Sequence, residues 1–104
     1  MRVEVLYIAG CRGHPRAVES TRAALDRLGL DLVPVGEIQV STAEDLARFD
    51  FHGSPTVVVD GLDLFPTTDR VAGLACRIYP SSEGPREAPP VDDLAAAIAE
   101  RAHP

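Results

Sequence analysis

The chain reads as a single mixed α/β domain, ordered β-α-β-α-β-β-α, around one four-stranded mixed sheet with helices on both faces. Three observations lead there. An apolar run at residues 3–9 gives way to helix-period spacing from Pro15. An Asp60-Gly61 pair separates two apolar runs. Residues 91–101 return to helical spacing at the end. The length of 104 residues is one domain's worth, and 45% apolar against 25% charged residues suffices for one core.

Residues 3–9 are almost continuously apolar, as in a strand covered on both faces. Ala17, Val18, Thr21, Ala24, Leu25 and Leu28 then recur at three- and four-residue steps, one face of a helix. Pro15 suits the first turn of that helix and Gly29 its end. Residues 30–40 regain strand character, with Pro34 marking an edge or an irregular start. Ser41 and Glu44 are spaced as a capping box for a short helix reaching about residue 49. Thr56 to Val59 is a β-branched run, and Asp-Gly at the two loop positions is a strong hairpin signal, with the returning strand at 62–65. The first β-α-β unit crosses over right-handed and makes its strands parallel, while the hairpin adds an antiparallel pair. Residues 66–90 form an irregular, proline-rich insertion with Pro66, Pro80, Pro85, Pro89 and Pro90. A helical turn near 68–74, an extended piece near 76–79 and a mobile stretch over 81–90 are expected there. In the last helix Val91, Leu94, Ala95 and Ile98 share the core face.

Net charge is −6, and the ten basic residues are all arginines, scattered without a cluster. Nucleic-acid binding needs clustered cations to neutralise phosphates, so it is disfavoured. No apolar run approaches the ~20 residues of a membrane span. The opening residues carry Arg2 and Glu4 and do not read as a secretory leader, so a cytoplasmic protein is expected. The absence of lysine beside abundant alanine and arginine points to a GC-rich bacterial genome.

The chemistry centres on Cys11, at the seam between the first strand and the first helix. The unpaired N–H groups of a helix N-terminus favour a thiolate there. Arg12 adds fixed positive charge, and His14, about one turn on, adds a donor. Residues 53–56, Gly-Ser-Pro-Thr, place a proline directly before a β-branched strand. That placement resembles the thioredoxin-fold site where a cis proline faces the active cysteine, and the resemblance implies a Ser54 backbone turned outward, free to pair with an extended substrate beside the thiol. Ser54, Pro55 and Thr56 are therefore the candidate substrate-side wall. Cys76 lies after the hairpin, and a structural disulfide with Cys11 is not expected to persist in a reducing cytosol.

Read together, "AGCRGHP", "GSPTVVVDG" and "GLACRIY" resemble the thioredoxin-like superfamily in its glutaredoxin-sized form. They are also similar to small bacterial thioredoxin-family proteins, some labelled alkylmercury lyase. The resemblance implies a thioredoxin-like fold, thiol redox chemistry at Cys11, a cis proline facing it, and protein or low-molecular-weight thiols and disulfides as partners, with no resident cofactor. The second cysteine of the dithiol Cys-x-x-Cys motif is replaced by His14, which rules out a redox cycle within the motif. Three readings stay open. Cys11 attacks and Cys76 resolves; or Cys11 works alone with His14 assisting and a small thiol resolving; or Cys11, Cys76 and His14 hold a soft metal such as Hg(II), Cu(I) or Zn. A non-enzymatic binding module on the same fold is the alternative of a different class. His52 and His103 read as surface residues, and Asp45, Asp50, Asp69, Asp92 and Asp93 as solvated or capping charges.

Overall fold

The computed structural model describes residues 1–67 and 73–102. The elements follow the expected order: β1 (Val3–Tyr7), α1 (Gly13–Arg27), β2 (Val35–Gln39), α2 (Ala43–Arg48), β3 (Thr56–Val59), β4 (Leu62–Asp63) and α3 (Val91–Ala102). The four strands form one open mixed sheet in the order β2-β1-β3-β4. β1 runs parallel to β2 and antiparallel to β3, and β3 is antiparallel to β4.

Both faces of the two inner strands are covered, which is why they read as unbroken apolar runs. On one face Val3, Val5, Val57 and Val59 pack with Ala17, Ala24 and Leu25 of α1 and Leu94 and Ile98 of α3. On the other, Leu6 and Val58 meet Val40, with Leu46 of α2 and Phe49 against them. None of the described helices is long and apolar enough to cross a membrane.

Helix α1 ends in a Schellman motif: Gly29, at φ 74°, donates to the Asp26 carbonyl, and Leu30 donates to that of Leu25. The hairpin turn has positive φ at both loop residues, Asp60 (51°) and Gly61 (85°), as a type I′ turn requires.

Several boundaries differ from expectation. β2 begins only at Val35, because Pro34 cannot donate to a ladder. The capping box of α2 is shifted by one residue. Thr42 is the N-cap, its Oγ1 accepting from Asp45 N–H at 3.1 Å, while Asp45 Oδ2 accepts from Thr42 N–H at 3.2 Å. Asp45 Oδ2 also accepts from Ser41 N–H at 2.9 Å, so the shorter carboxylate closes the box that Glu44 was expected to close. The returning strand β4 has two residues rather than four. The helical turn expected near 68–74 falls mostly outside the described residues; Gly73 and Leu74 form a bend. The stretch expected to be mobile is hydrogen-bonded: Tyr79 and Arg86 exchange backbone bonds at 2.8 Å each, and Gly84 donates to the Ser81 carbonyl. Ala88, within the same stretch, is buried in the core.

Asp50 is not merely a solvated charge. Its Oδ2 accepts from the Asp63 N–H at 2.9 Å, and its Oδ1 pairs with His52 Nε2 at 2.6 Å. The Asp63 N–H chiefly, and His52 after it, hold the Asp50 carboxyl below its ordinary 3.8 against the opposing effect of burial. The folded value is depressed, so this stability is fully present above the ordinary carboxylate pKa and is lost as pH falls through the folded value. Stability measured by urea unfolding from about pH 5 downward is expected to fall less steeply in Asp50→Asn than in the unsubstituted protein.

Candidate active site

The site is assembled where β1 hands over to α1. Beyond Tyr7, Ile8 N–H donates to Ser54 Oγ at 3.0 Å, tying the end of the strand to the loop before β3. Gly10 supplies the positive φ (76°) that lets the chain double back, and Cys11 N–H then bonds to the Ile8 carbonyl at 3.3 Å. Arg12 is the N-cap of α1, so Cys11 sits one residue outside the helix. Its thiol is half-buried and unbridged, and that of Cys76 is exposed and unbridged.

The Ser54–Pro55 peptide is cis. The Ser54 backbone does not face an open edge, and here the expectation is corrected. Its N–H donates to the Ala75 carbonyl at 2.8 Å, and its carbonyl accepts from Arg77 N–H at 2.8 Å. This is a parallel bridge pairing Ser54 with Cys76. The protein's own residues 75–77 hold the backbone positions that an extended substrate would have used.

Alternation along this segment sends Cys76 outward and Arg77 inward. Arg77 Nη1 donates to Asp63 Oδ2 at 2.8 Å, with side-chain exposures of 8% and 1%. Its Nη2 donates to the Phe65 carbonyl, and the guanidinium lies 4.6 Å from the centre of the Tyr79 ring. The Tyr79 hydroxyl donates to the Pro55 carbonyl. Burial pushes that phenol well above its ordinary value; Asp63 and Cys11 push the same way and Arg77 opposes them. Tyr79 is therefore a neutral donor that locks residues 75–79 onto the proline loop.

Cys11 and Cys76 both line one pocket of about 290 Å³. Arg12, Ser54, Arg77 and Glu87 also line it. His14 does not. Its ring stacks on Tyr7, with centroids 3.6 Å apart, and its Nε2 pairs with Glu37 Oε1 at 2.6 Å. Contacts from two neighbouring strands thus hold the ring, and its Nε2 is engaged by Glu37 rather than by Cys11. Thr56 is also turned inward: its hydroxyl donates to the Gly53 carbonyl and accepts from His52 N–H at 3.2 Å. Pro55 is fully buried. Of the expected substrate wall, Ser54 lines the pocket, while Pro55 and Thr56 are buried behind it; Arg12 lines the pocket as well.

Gly13, the first residue of α1, fits because it lacks a Cβ. An added Cβ would lie 2.1 Å from the Glu87 carbonyl oxygen and 3.0 Å from Pro55 Cδ. Gly13→Ala gains at most about 1 kcal/mol of helix propensity but forces backbone apart, at about 1–3 kcal/mol. A net loss of thermal stability is expected, readable as a lower Tm, and an unchanged or higher Tm would contradict this packing.

The residues missed in the sequence are Arg77, Asp63 and Glu87. Asp63 carried a faint signal, a carboxylate inside a hairpin strand; its partner, fourteen positions on, carried none. No group of three or more His, Cys, Asp or Glu residues among the described residues is placed to hold a metal ion. No protein-family model matches the chain, and no curated protein or solved structure matches it.

Proposed function

We propose that this protein performs thiol–disulfide exchange on a thioredoxin-like fold, with Cys11 as nucleophile and Cys76 as resolving thiol. The observation that carries the reading is that Cys11 and Cys76 line one and the same pocket. The strand order and the proline loop beside Cys11 support it. The Cys11 thiolate attacks one sulfur of a disulfide RSSR, forming Cys11–S–S–R and releasing RS⁻, which takes up a proton. Cys76 loses its proton to solvent and attacks the Cys11 sulfur. The protein disulfide forms, the second RS⁻ leaves, and two protein thiols have been oxidised while RSSR is reduced to two RSH. With His14 Nε2 engaged by Glu37, solvent takes up and supplies the protons; Arg77 at the pocket is committed to Asp63, which leaves Arg12 to attract an anionic group.

The test is peptide mapping of the reduced protein after mild oxidation. A cross-linked pair of peptides containing Cys11 and Cys76 is expected. A product linked between two molecules through Cys76, with Cys11 left as a thiol, would overturn the assignment.

The same two thiols favour one second reading, a soft cation held by a pair of thiolates, such as Cu(I) or Hg(II). Zinc wants four ligands and finds no such set among the described residues. Loss of Cu(I) binding in both Cys11→Ser and Cys76→Ser, with no Cys11–Cys76 peptide on oxidation, would favour this reading over redox exchange.

A further inference from the structure

We infer that residues 75–77 restrict Cys11 to low-molecular-weight disulfides by permanently filling the backbone edge on which an extended polypeptide would dock, and that Arg77 is the positioning residue that keeps them there. This rests on the reading of Cys11 as a redox nucleophile. A peptide laid beside a sheet edge gains affinity through main-chain hydrogen bonds. At Ser54 the donor and the acceptor are both spent within the chain, at 2.8 Å each.

The occupant is not loosely laid. Arg77 is anchored by Asp63 and the Phe65 carbonyl beneath the surface, and Tyr79 bonds to the Pro55 carbonyl two residues further on. Displacing residues 75–77 would pull the Arg77 guanidinium out of its buried pair and leave the Asp63 carboxylate buried without its cation. What remains at Cys11 is a pocket of about 290 Å³, at the lower end of the size that holds a small organic molecule. It suits a disulfide the size of cystine, with Arg12 exposed at its edge for a carboxylate. The chemistry is the exchange written above, with the small disulfide as oxidant.

The experiment compares two oxidants carrying the same sulfur chemistry: cystine, and an extended peptide whose central cysteine is disulfide-linked to cysteine. Rates of Cys11 oxidation in the full chain are read by mass spectrometry and normalised to the same pair reacting with dithiothreitol. Cystine is expected to be favoured by about tenfold or more, since it fits a pocket of about 290 Å³ while the peptide's flanking residues meet the segment 75–77 on the edge where they would have to lie. Arg77→Ala is expected to raise the relative peptide rate by about the same factor, and Arg77→Lys, which keeps a cation for Asp63, to restore the original ratio. A merely structural role would slow both oxidants together and leave the ratio alone.

Should Arg77→Ala fail to fold, amide exchange of Arg77 in the unsubstituted protein decides: strong protection is expected, and exchange at the rate of an open amide would overturn the proposal. Equal normalised rates for the two oxidants would overturn it while leaving Cys11 a redox nucleophile. Neither oxidant reacting faster with Cys11 than with free cysteine would overturn both.

Discussion

Asp63→Ala is expected to lower the free energy of unfolding by about 3–5 kcal/mol, the usual cost of stranding one member of a buried ion pair. Total stabilities of small domains are about 5–15 kcal/mol, so the loss is large. The magnitude turns on burial, and the exposures of 8% for Arg77 and 1% for Asp63 place the pair far from the surface class. The substitution also removes the acceptor for the Phe65 N–H, which Asp63 Oδ1 meets at 2.9 Å. Urea unfolding of the single variant, beside the double variant Asp63→Leu/Arg77→Met, checks the account. The double variant is expected to recover much of the loss, because two apolar side chains leave no uncompensated charge. A single-variant loss below about 1 kcal/mol, the range of exposed pairs, would contradict the burial of this pair.

Cys11→Ser is expected to reduce disulfide consumption to the uncatalysed background while leaving the unfolding midpoint close to that of the parent, since a hydroxyl fits where a thiol did. Cys76→Ser separates the two thiols. Cys11 still attacks RSSR but is no longer attacked in turn, so the Cys11–S–S–R adduct is expected to accumulate, visible as a mass increase equal to RS less a hydrogen, in place of the internal bridge. If alkylation of Cys11 proceeds no faster than that of free cysteine, and Cys11→Ser changes nothing measurable, the binding-module reading replaces the redox one.

Much of the architecture was legible because its signals are local. The β-branched run Thr56–Val59 and the Asp60-Gly61 turn state a strand and a type I′ hairpin within six residues. The spacing of Leu94, Ala95 and Ile98 states a core-facing helix within two turns. What was misread depends on partners far along the chain. In the returning strand the apolar Leu62 is 60% exposed while the charged Asp63 is buried. The inversion is stable because Arg77 comes in to neutralise Asp63, and nothing near residue 63 announces it. His14 lies one turn from Cys11 in sequence, but Tyr7 and Glu37 from two adjacent strands decide where its ring goes. The Ser-Pro pair before β3 was recognisable as a site marker. That its main-chain groups are already taken by residues 75 and 77 was not, because a backbone hydrogen bond leaves no compositional trace.

The place of β1 in the sheet has a consequence for biosynthesis. The strand nearest the N-terminus is an interior strand, with β2 on one side and β3 on the other. During translation its apolar residues leave the ribosome with neither neighbour made, and the second hydrogen-bonding edge stays unpaired until Val59 has been added. The nascent chain therefore passes through a stage in which an apolar interior strand is complete and its cover is not. Slowing elongation between codons 10 and 59 is expected to prolong that exposure, and a holdase that binds unpaired apolar strands would find its target in the first ten residues rather than at the thiols.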